Sequence, residues 1–301
     1  MDFSGKIRFA PSPTGYLHEG HLLSALYVWA AARKWNLHIH LRIEDHDRGR
    51  TREAYIQGIR EDLAWMGFIP HSESIQSERQ DIYRAVMERL DAAGLTYPCT
   101  CSRKQLEAEN PRSETGEIIY QGKCQALDIH QASALPHNTR FKVTDKLINW
   151  QDYRLGAFSE NPARQCGDFP LMDREGCYTY QLCVCTDDLE QGITHIVRGE
   201  DIINSTARQI ALSETLCQVA SGIGHIPREH VRPLYLHHPL IVDPSGKKLS
   251  KRELAHSIRQ DKEAGYRPEE LLGRVLFKAG FIPKQDSIAL EDAIGRIVNT
   301  L

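Results

Sequence analysis

Apolar side chains along the first hundred residues alternate between the period of a strand and the period of a helix. Positions 37–43 read polar, apolar in strict turn, as a half-buried strand does, and 6–10 form a shorter strand candidate. Between them Leu22, Leu23, Leu26, Val28, Trp29 and Ala30 fill a helix that runs to about Trp35. It is entered through Pro11-Ser12-Pro13-Thr14-Gly15, a loop with two prolines. Helices at 52–66 and 78–93 follow, the second stopped by Gly94. A strand–helix–strand–helix order predicts a parallel sheet with helices on its faces.

From Pro98 to about Glu160 the periodicity breaks up among scattered cysteines and Asn-Pro, Thr-Gly and Leu-Pro steps, as in a loop-rich inserted module. Pattern returns at 168–172 and 178–182, which read as a hairpin about Asp173-Arg174-Glu175-Gly176. Further strands are expected at 193–197 and 234–236, a helix at 206–218, and a mostly helical tail over 253–301. The expected division is 1–97 and 168–245 as two halves of one catalytic sheet domain. Residues 98–167 form its insert, and 246–301 a lysine-rich loop with a helical region.

Composition narrows little. The 301 residues are 41% hydrophobic and 26% charged, within the range of ordinary globular chains. The absence of a long apolar run argues against a membrane span, and Met1 to Lys6 lacks a secretory layout, so a cytoplasmic location is expected. A net charge of −3 names no partner, and a nucleic-acid face would have to gather its cations locally. Of eight cysteines, Cys177, Cys183 and Cys185 lie in an apolar stretch and read as buried small hydrophobes. Cys99, Cys101 and Cys124 read as a metal site. The fourth ligand is open among Tyr120, His130, His137 and Cys166, and three free buried thiols are the plain alternative.

Two segments carry candidate nucleotide chemistry. His18-Glu19-Gly20-His21 stands at a helix mouth, where free N–H groups attract phosphate, imidazoles can donate to its oxygens, and Gly20 allows close approach. Gly246-Lys247-Lys248-Leu249-Ser250-Lys251-Arg252 has the makings of a triphosphate clamp. Taken singly, these are surface histidines and a solvated basic turn. Paired across intervening α/β structure, they point to ATP.

The two segments resemble the signatures of class I aminoacyl-tRNA synthetases. Residues 8–15, 42–48 and 192–201 resemble the glutamyl-tRNA synthetase branch, over nearly the whole chain and in order. That resemblance implies a Rossmann-like doubly wound parallel sheet. His18, His21, Lys248 and Lys251 become catalytic, and Gly20, Leu249 and Ser250 join them in binding ATP with Mg²⁺. It further implies a glutamate pocket of Arg8, Ser12, Glu44, Tyr180 and Arg198, cations for carboxylate and Glu44 for the ammonium. Val184 departs from the asparagine often found there. His38 and His40, with Glu44, Asp45, His46 and Asp47, are set aside as metal ligands. The spacing of Tyr120 and Cys124 resembles a zinc module in which a tyrosine oxygen completes the set. This implies one structural Zn²⁺ on Cys99, Cys101, Tyr120 and Cys124, with His130 second as fourth ligand.

The chain ends soon after the lysine loop, so no anticodon-binding domain is expected. In this it resembles the glutamyl-Q tRNA(Asp) synthetases, paralogues that attach glutamate to queuosine in the anticodon of tRNA(Asp). ATP, L-glutamate and queuosine-bearing tRNA(Asp) are the expected partners of a monomer. The zinc module is then an acceptor-binding element and the tail a stem-contact region. The alternatives are a truncated glutamyl-tRNA synthetase charging a 3′ end and a non-catalytic tRNA-binding paralogue. A nucleotidylyltransferase is also weighed, but it has no need of Arg8, Arg198 and Glu44 together.

Overall fold

The computed structural model describes residues 2–47, 49–127, 134–241 and 256–301. In its first half β1 (Gly5–Phe9), α1 (Glu19–Trp35), β2 (Leu37–Ile43), α2 (Glu53–Met66) and β3 (Ser72–Ile75) alternate, followed by α3 (Gln80–Ala92). A middle stretch holds β4 (Thr96–Cys99), α4 (Arg103–Glu109), β5 (Asn138–Phe141), β6 (Ile148–Asp152), β7 (Gly156–Glu160), α5 (Pro162–Gln165) and β8 (Pro170–Met172). Then come α6 (Tyr180–Glu190), β9 (His195–Gly199), α7 (Thr206–Val219) and β10 (Leu234–His238). The tail forms α8 (Ile258–Glu263), α9 (Pro268–Lys278) and α10 (Leu290–Val298).

Seven strands make the main sheet in the order β3-β2-β1-β9-β10-β6-β7, parallel except for the β6–β7 hairpin. The chain builds outward from β1 through β2 to β3, then returns to place β9 on its other side. Strand order therefore reverses between β1 and β9, leaving a crevice at their carboxyl ends, where open α/β sheets bind ligands. This is the doubly wound arrangement expected.

Helix α1 is apolar nearly all round because it has two partners, the sheet on one side and α9 and α10 on the other. Full burial of Leu22, Leu23, Leu26 and Val28 contributes roughly 1.5–3 kcal/mol per side chain. The helix ends on Asn36, left-handed at φ 51°, whose N–H reaches the Ala32 carbonyl.

A second, antiparallel sheet of β4, β5 and β8 carries the thiol-bearing loops. Residues 98–167 feed both sheets, since β6 and β7 extend the main one, with Trp150 stacked on Phe158 at 4.4 Å. The hairpin expected at 168–182 forms only next to its turn, where the Asp173 N–H donates to the Cys177 carbonyl and the Thr179 N–H to that of Leu171, both at 2.9 Å. Met172 and Tyr178 make a single bridge, and Tyr180 opens α6. Leu182, Cys183, Val184 and Cys185 are buried on successive sides of that helix, packed with α3 and α7. A helix covered all round shows no clean period, and its first turn passes for a strand. Among the described residues no helix is long and apolar enough to cross a membrane.

Candidate active site

The nucleotide side is built on the start of α1. His18 is its N-cap, in extended conformation, and its Nδ1 accepts the Gly20 N–H at 3.1 Å. In return His21 Nδ1 accepts the His18 backbone N–H at 3.2 Å. A Cβ on Gly20 would lie 3.0 Å from His18 Cε1, so glycine permits this closure. Both imidazoles thus hold their protons on Nε2 when neutral. Burial, then the adjacent His18, pushes His21 down to about 3, which keeps it a neutral donor near pH 7. Glu19, between them, turns to the tail and pairs with Arg274 and Lys278, each at 2.6 Å.

A cleft of about 600 Å³ opens before these histidines, lined by Ser12, Thr14, Tyr16, Ser257 and Arg259 among others. Ser12 therefore sits with the histidines in this cleft. Lys248, Leu249, Ser250 and Lys251 lie outside the described residues. Beyond them the chain returns beside His18, where Ser257 bridges His18 and Ile258 donates to the Leu17 carbonyl at 2.8 Å.

The amino-acid side occupies the crevice. Arg8 from β1 and Arg198 from β9 are both buried, but their partners differ. Arg8 pairs with Asp188 of α6 at 3.1 Å. Arg42 from β2 meets the same Asp188 at 2.6 Å and Glu44 Oε1 at 3.1 Å. Burial opposes ionisation of Asp188, yet the Arg42 and Arg8 guanidiniums hold its carboxyl below the usual range. For Glu44 burial wins over Arg42 and raises it. Asp187, next in α6, gathers Arg79, Gln76 and Tyr83 at 2.7–2.8 Å.

Arg198 has only neutral acceptors among these contacts: His237 Nε2 at 3.0 Å, Gln209 Oε1 at 2.7 Å and Thr206 Oγ1 at 2.9 Å. His237 accepts there and so donates its Nδ1–H to Asp152 at 2.7 Å. Among the described residues Arg198 makes no ion pair. Tyr180 opens α6 in the same crevice, where burial raises its phenol beside Arg198, Glu44 and Arg8. Val184 is buried in the apolar cluster one turn on.

The other candidate metal ligands find ordinary partners. Ser72 and Ser74 take His38 and His40, Gln76 takes His46, Asp45 accepts from the Ser77 N–H, and Asp47 pairs with Arg50. Sequence reasoning passed over Asp187, Asp188 and Gln209, and read Arg42 only within a motif. Two adjacent acids in an apolar helix and an arginine inside a buried strand were the available signals.

Cys99, Cys101 and Cys124 are buried with their sulfurs within 4.8 Å of one another, among the described residues the one group of this kind. Tyr120 Oη stands 3.5 Å from Cys99 Sγ and 3.9 Å from Cys101 Sγ, while Cys101 and Cys124 sulfurs are 3.4 Å apart. A tetrahedral S₃O zinc site has edges of about 3.5–3.8 Å for bonds of roughly 2.0–2.3 Å, so this donor set fits. Burial opposes it, yet hydrogen bonds led by Tyr120 bring the Cys124 thiol down to about 7. Gly167, at φ 64°, lets the Tyr120 backbone pass, since a Cβ would meet the Tyr120 carbonyl oxygen at 2.1 Å. Cys166 turns away to the Pro162 and Gly167 carbonyls, and His137 to that of Leu135. His130 lies outside the described residues.

Residues 6–299 match the family model for class I tRNA synthetases (E and Q), catalytic domain. A glutamyl-Q tRNA(Asp) synthetase of Burkholderia cenocepacia is 41% identical over 84% of this chain and 82% of its own length. A glutamate–tRNA ligase of Francisella philomiragia is 36% identical over 88% of this chain, which spans 55% of that protein. Among solved structures, a glutamate tRNA ligase from Elizabethkingia meningosepticum, in complex with its amino acid, superposes with a TM-score of 0.74 at 28% identity. The match covers 96% of this chain and 64% of that one. With the switch-point crevice, the histidine-capped helix and this match over almost its full length, the chain belongs to the class I tRNA synthetases of the E and Q branch.

Proposed function

We propose that the protein activates glutamate with ATP and transfers it to queuosine in the anticodon of tRNA(Asp). The observation that carries the glutamate reading is Arg198. A buried guanidinium held by three neutral acceptors keeps its charge available, and a substrate carboxylate supplies the missing partner. Arg8, already balanced by Asp188, helps to shape the same crevice. Glu44 Oε2 takes the ammonium, with Oε1 held by Arg42, and Tyr180 closes the wall.

In the first step an α-carboxylate oxygen of glutamate bonds to the α-phosphorus of ATP. The bond to pyrophosphate breaks, leaving the mixed anhydride. Such transfer depends on positioning and charge neutralisation. His18 and His21 donate from Nε2 to phosphate oxygens, Ser12 and Gly20 border the nucleotide, and Lys248 to Lys251 neutralise the triphosphate. Mg²⁺ accompanies ATP and offsets phosphate charge. In the second step an acceptor hydroxyl attacks the glutamyl carbonyl and AMP leaves. The names of the more identical relatives, 41% against 36%, support queuosine as that acceptor.

Cys99, Cys101, Tyr120 and Cys124 hold a structural Zn²⁺ that keeps the acceptor-binding loops together. Segment 98–167 serves as that acceptor module, 246–301 as the lysine loop and stem-contact region, and the chain acts as a monomer in the cytoplasm.

Glutamate-dependent exchange of pyrophosphate into ATP without tRNA tests the activation. Exchange only with another amino acid, or only with tRNA, overturns it. Labelled glutamate loaded on queuosine-bearing tRNA should persist after nuclease removal of the 3′ nucleotide. Loss of loading there points instead to charging of the 3′ end.

A further inference from the structure

A cavity of about 280 Å³ lies between the thiol-bearing loops and the starts of α6 and α7. One wall is Tyr180, which also faces the glutamate crevice, and the other includes Glu117, Ile118 and Tyr120. Its size is close to the lower end of ligand pockets, roughly 300 Å³. Three features of its lining are specific.

Aromatic faces come first. Tyr120 and Tyr180 line the cavity with Phe169, and the Arg140 guanidinium lies over the Tyr120 ring at 4.0 Å. The second is an ion pair at the cavity wall, in which the buried Arg208 of α7 donates to both oxygens of the partly exposed Glu117 at 2.5 and 2.6 Å. A carboxylate has about four lone-pair sites, so Glu117 can still accept. The third is a surplus of donors. Arg140 Nε and Arg208 Nε are buried without a hydrogen-bond partner among the described residues, a costly condition that an added acceptor relieves. The cavity also connects to the glutamate site. Gln181 accepts from Gln209 at 2.9 Å, and Gln209 in turn accepts from Arg198 at 2.7 Å.

A planar heterocycle with an N–H, N–H, C=O edge satisfies all three. Guanine has that edge, with N1–H and N2–H for a carboxylate and O6 for a guanidinium, and so does the 7-deazaguanine ring of queuosine. Adenine reverses the pattern. We infer that this cavity receives the acceptor base and that Glu117 reads its guanine-type edge, with Arg208 holding the carboxylate in place. This rests on the queuosine reading above and adds to it the site at which the base is recognised.

The probes are 7-deazaguanosine and 7-deazaadenosine, matched in shape and opposite in edge, titrated by NMR into the full-length zinc-loaded protein. The guanine-type nucleoside should bind at least tenfold more tightly and should inhibit transfer to tRNA while glutamate-dependent pyrophosphate exchange continues. Glu117→Gln should remove that preference by weakening only the guanine-type nucleoside. General damage to the cavity lowers both alike. Equal binding of the two, binding of neither, or an unchanged preference in Glu117→Gln overturns the inference. Those results alongside intact transfer to queuosine leave the proposed function standing, whereas absence of exchange and transfer strikes that function itself.

Discussion

The switch-point crevice and the thiol-bearing loops lie on either side of Tyr180 and are held in place by opposite means. In the crevice the charged groups sit on strands and helices packed with the main sheet, Glu44 one residue beyond the end of β2. Arg8, Arg42, Glu44, Asp187 and Asp188 fix one another by ion pairs drawn from β1, β2 and α6. Around the thiols secondary structure is sparse. The buried cluster there consists of Tyr97, Cys99, Cys101, Tyr120 and Cys124, with Leu106 against it. So small an apolar group offsets little of the entropy of ordering its loops. One region is ordered by a web of buried ion pairs; in the other, three converging sulfurs and a tyrosine oxygen stand where a core would be.

Metal removal separates the two most sharply. Structural zinc contributes about 10–16 kcal/mol in small zinc modules. Elemental analysis should find one zinc per chain, and a strong chelator should strip it. Backbone amides of 96–127 should then lose hydrogen-exchange protection while those of β1, β2, β9 and β10 keep theirs. Equal loss in both regions, or no bound metal, breaks the contrast.

Within the crevice, Asp188→Asn leaves Arg8 and Arg42 short of a buried counter-charge. A loss of about 3–5 kcal/mol is expected, read as a lower urea midpoint at constant slope. Arg198→Gln removes a buried cation that has no counter-ion. Its stability should change by less than about 1 kcal/mol, while glutamate-dependent exchange falls at least a hundredfold, as expected for about 3 kcal/mol of charge-assisted bonding. Similar destabilisation by both substitutions would mean that Arg198 is structural.

The third test concerns pH. Folded His21 stays neutral down to about 3, whereas an unfolded imidazole takes a proton near its ordinary value of 6.5. Between those values the unfolded chain binds more protons, so stability rises with pH, by up to about 1.4 kcal/mol per unit from this group. The contribution is complete above 6.5 and is lost as pH falls toward 3. His21→Asn should flatten that slope in urea melts at stepped pH. An unchanged slope would place the acid sensitivity elsewhere.

The same contrast explains what could be read in advance. Alternation at 37–43 and the Leu22 to Trp35 pattern foretold β2 and α1, because each is long enough to show its period. β3 and β4 have four residues each, too few for alternation to stand out. Tyr178 to Leu182 has the pattern of a strand because five residues do not separate a strand from the start of a fully covered helix. Arg8, Glu44, Tyr180 and Arg198 were named from family resemblance, and the described structure brings them to one crevice. That Asp188 balances Arg8, 180 positions away, is a fact of tertiary packing that no local pattern carries. In the thiol region the chemistry was legible in residue type alone, since C-x-C is meaningful whatever the backbone does.

The smallest effect tests how far the two regions are independent. Arg174, in the turn between β8 and α6, donates to the Thr100 and Cys101 carbonyls at 2.7 and 2.6 Å. Six residues later the chain reaches Tyr180, so this side chain ties the thiol loops to the entrance of α6. Arg174→Ala removes two exposed to half-buried hydrogen bonds, worth about 1 kcal/mol together after solvent compensation. Opening of 96–127 should become about fivefold more frequent by hydrogen exchange, and zinc should pass to a chelator correspondingly faster. If α6 takes its position from the sheet, KM for glutamate in the exchange assay stays at its wild-type value. A rise in KM without a change in kcat would mean instead that the thiol loops help to place Tyr180, and the separation between the regions would end at that turn.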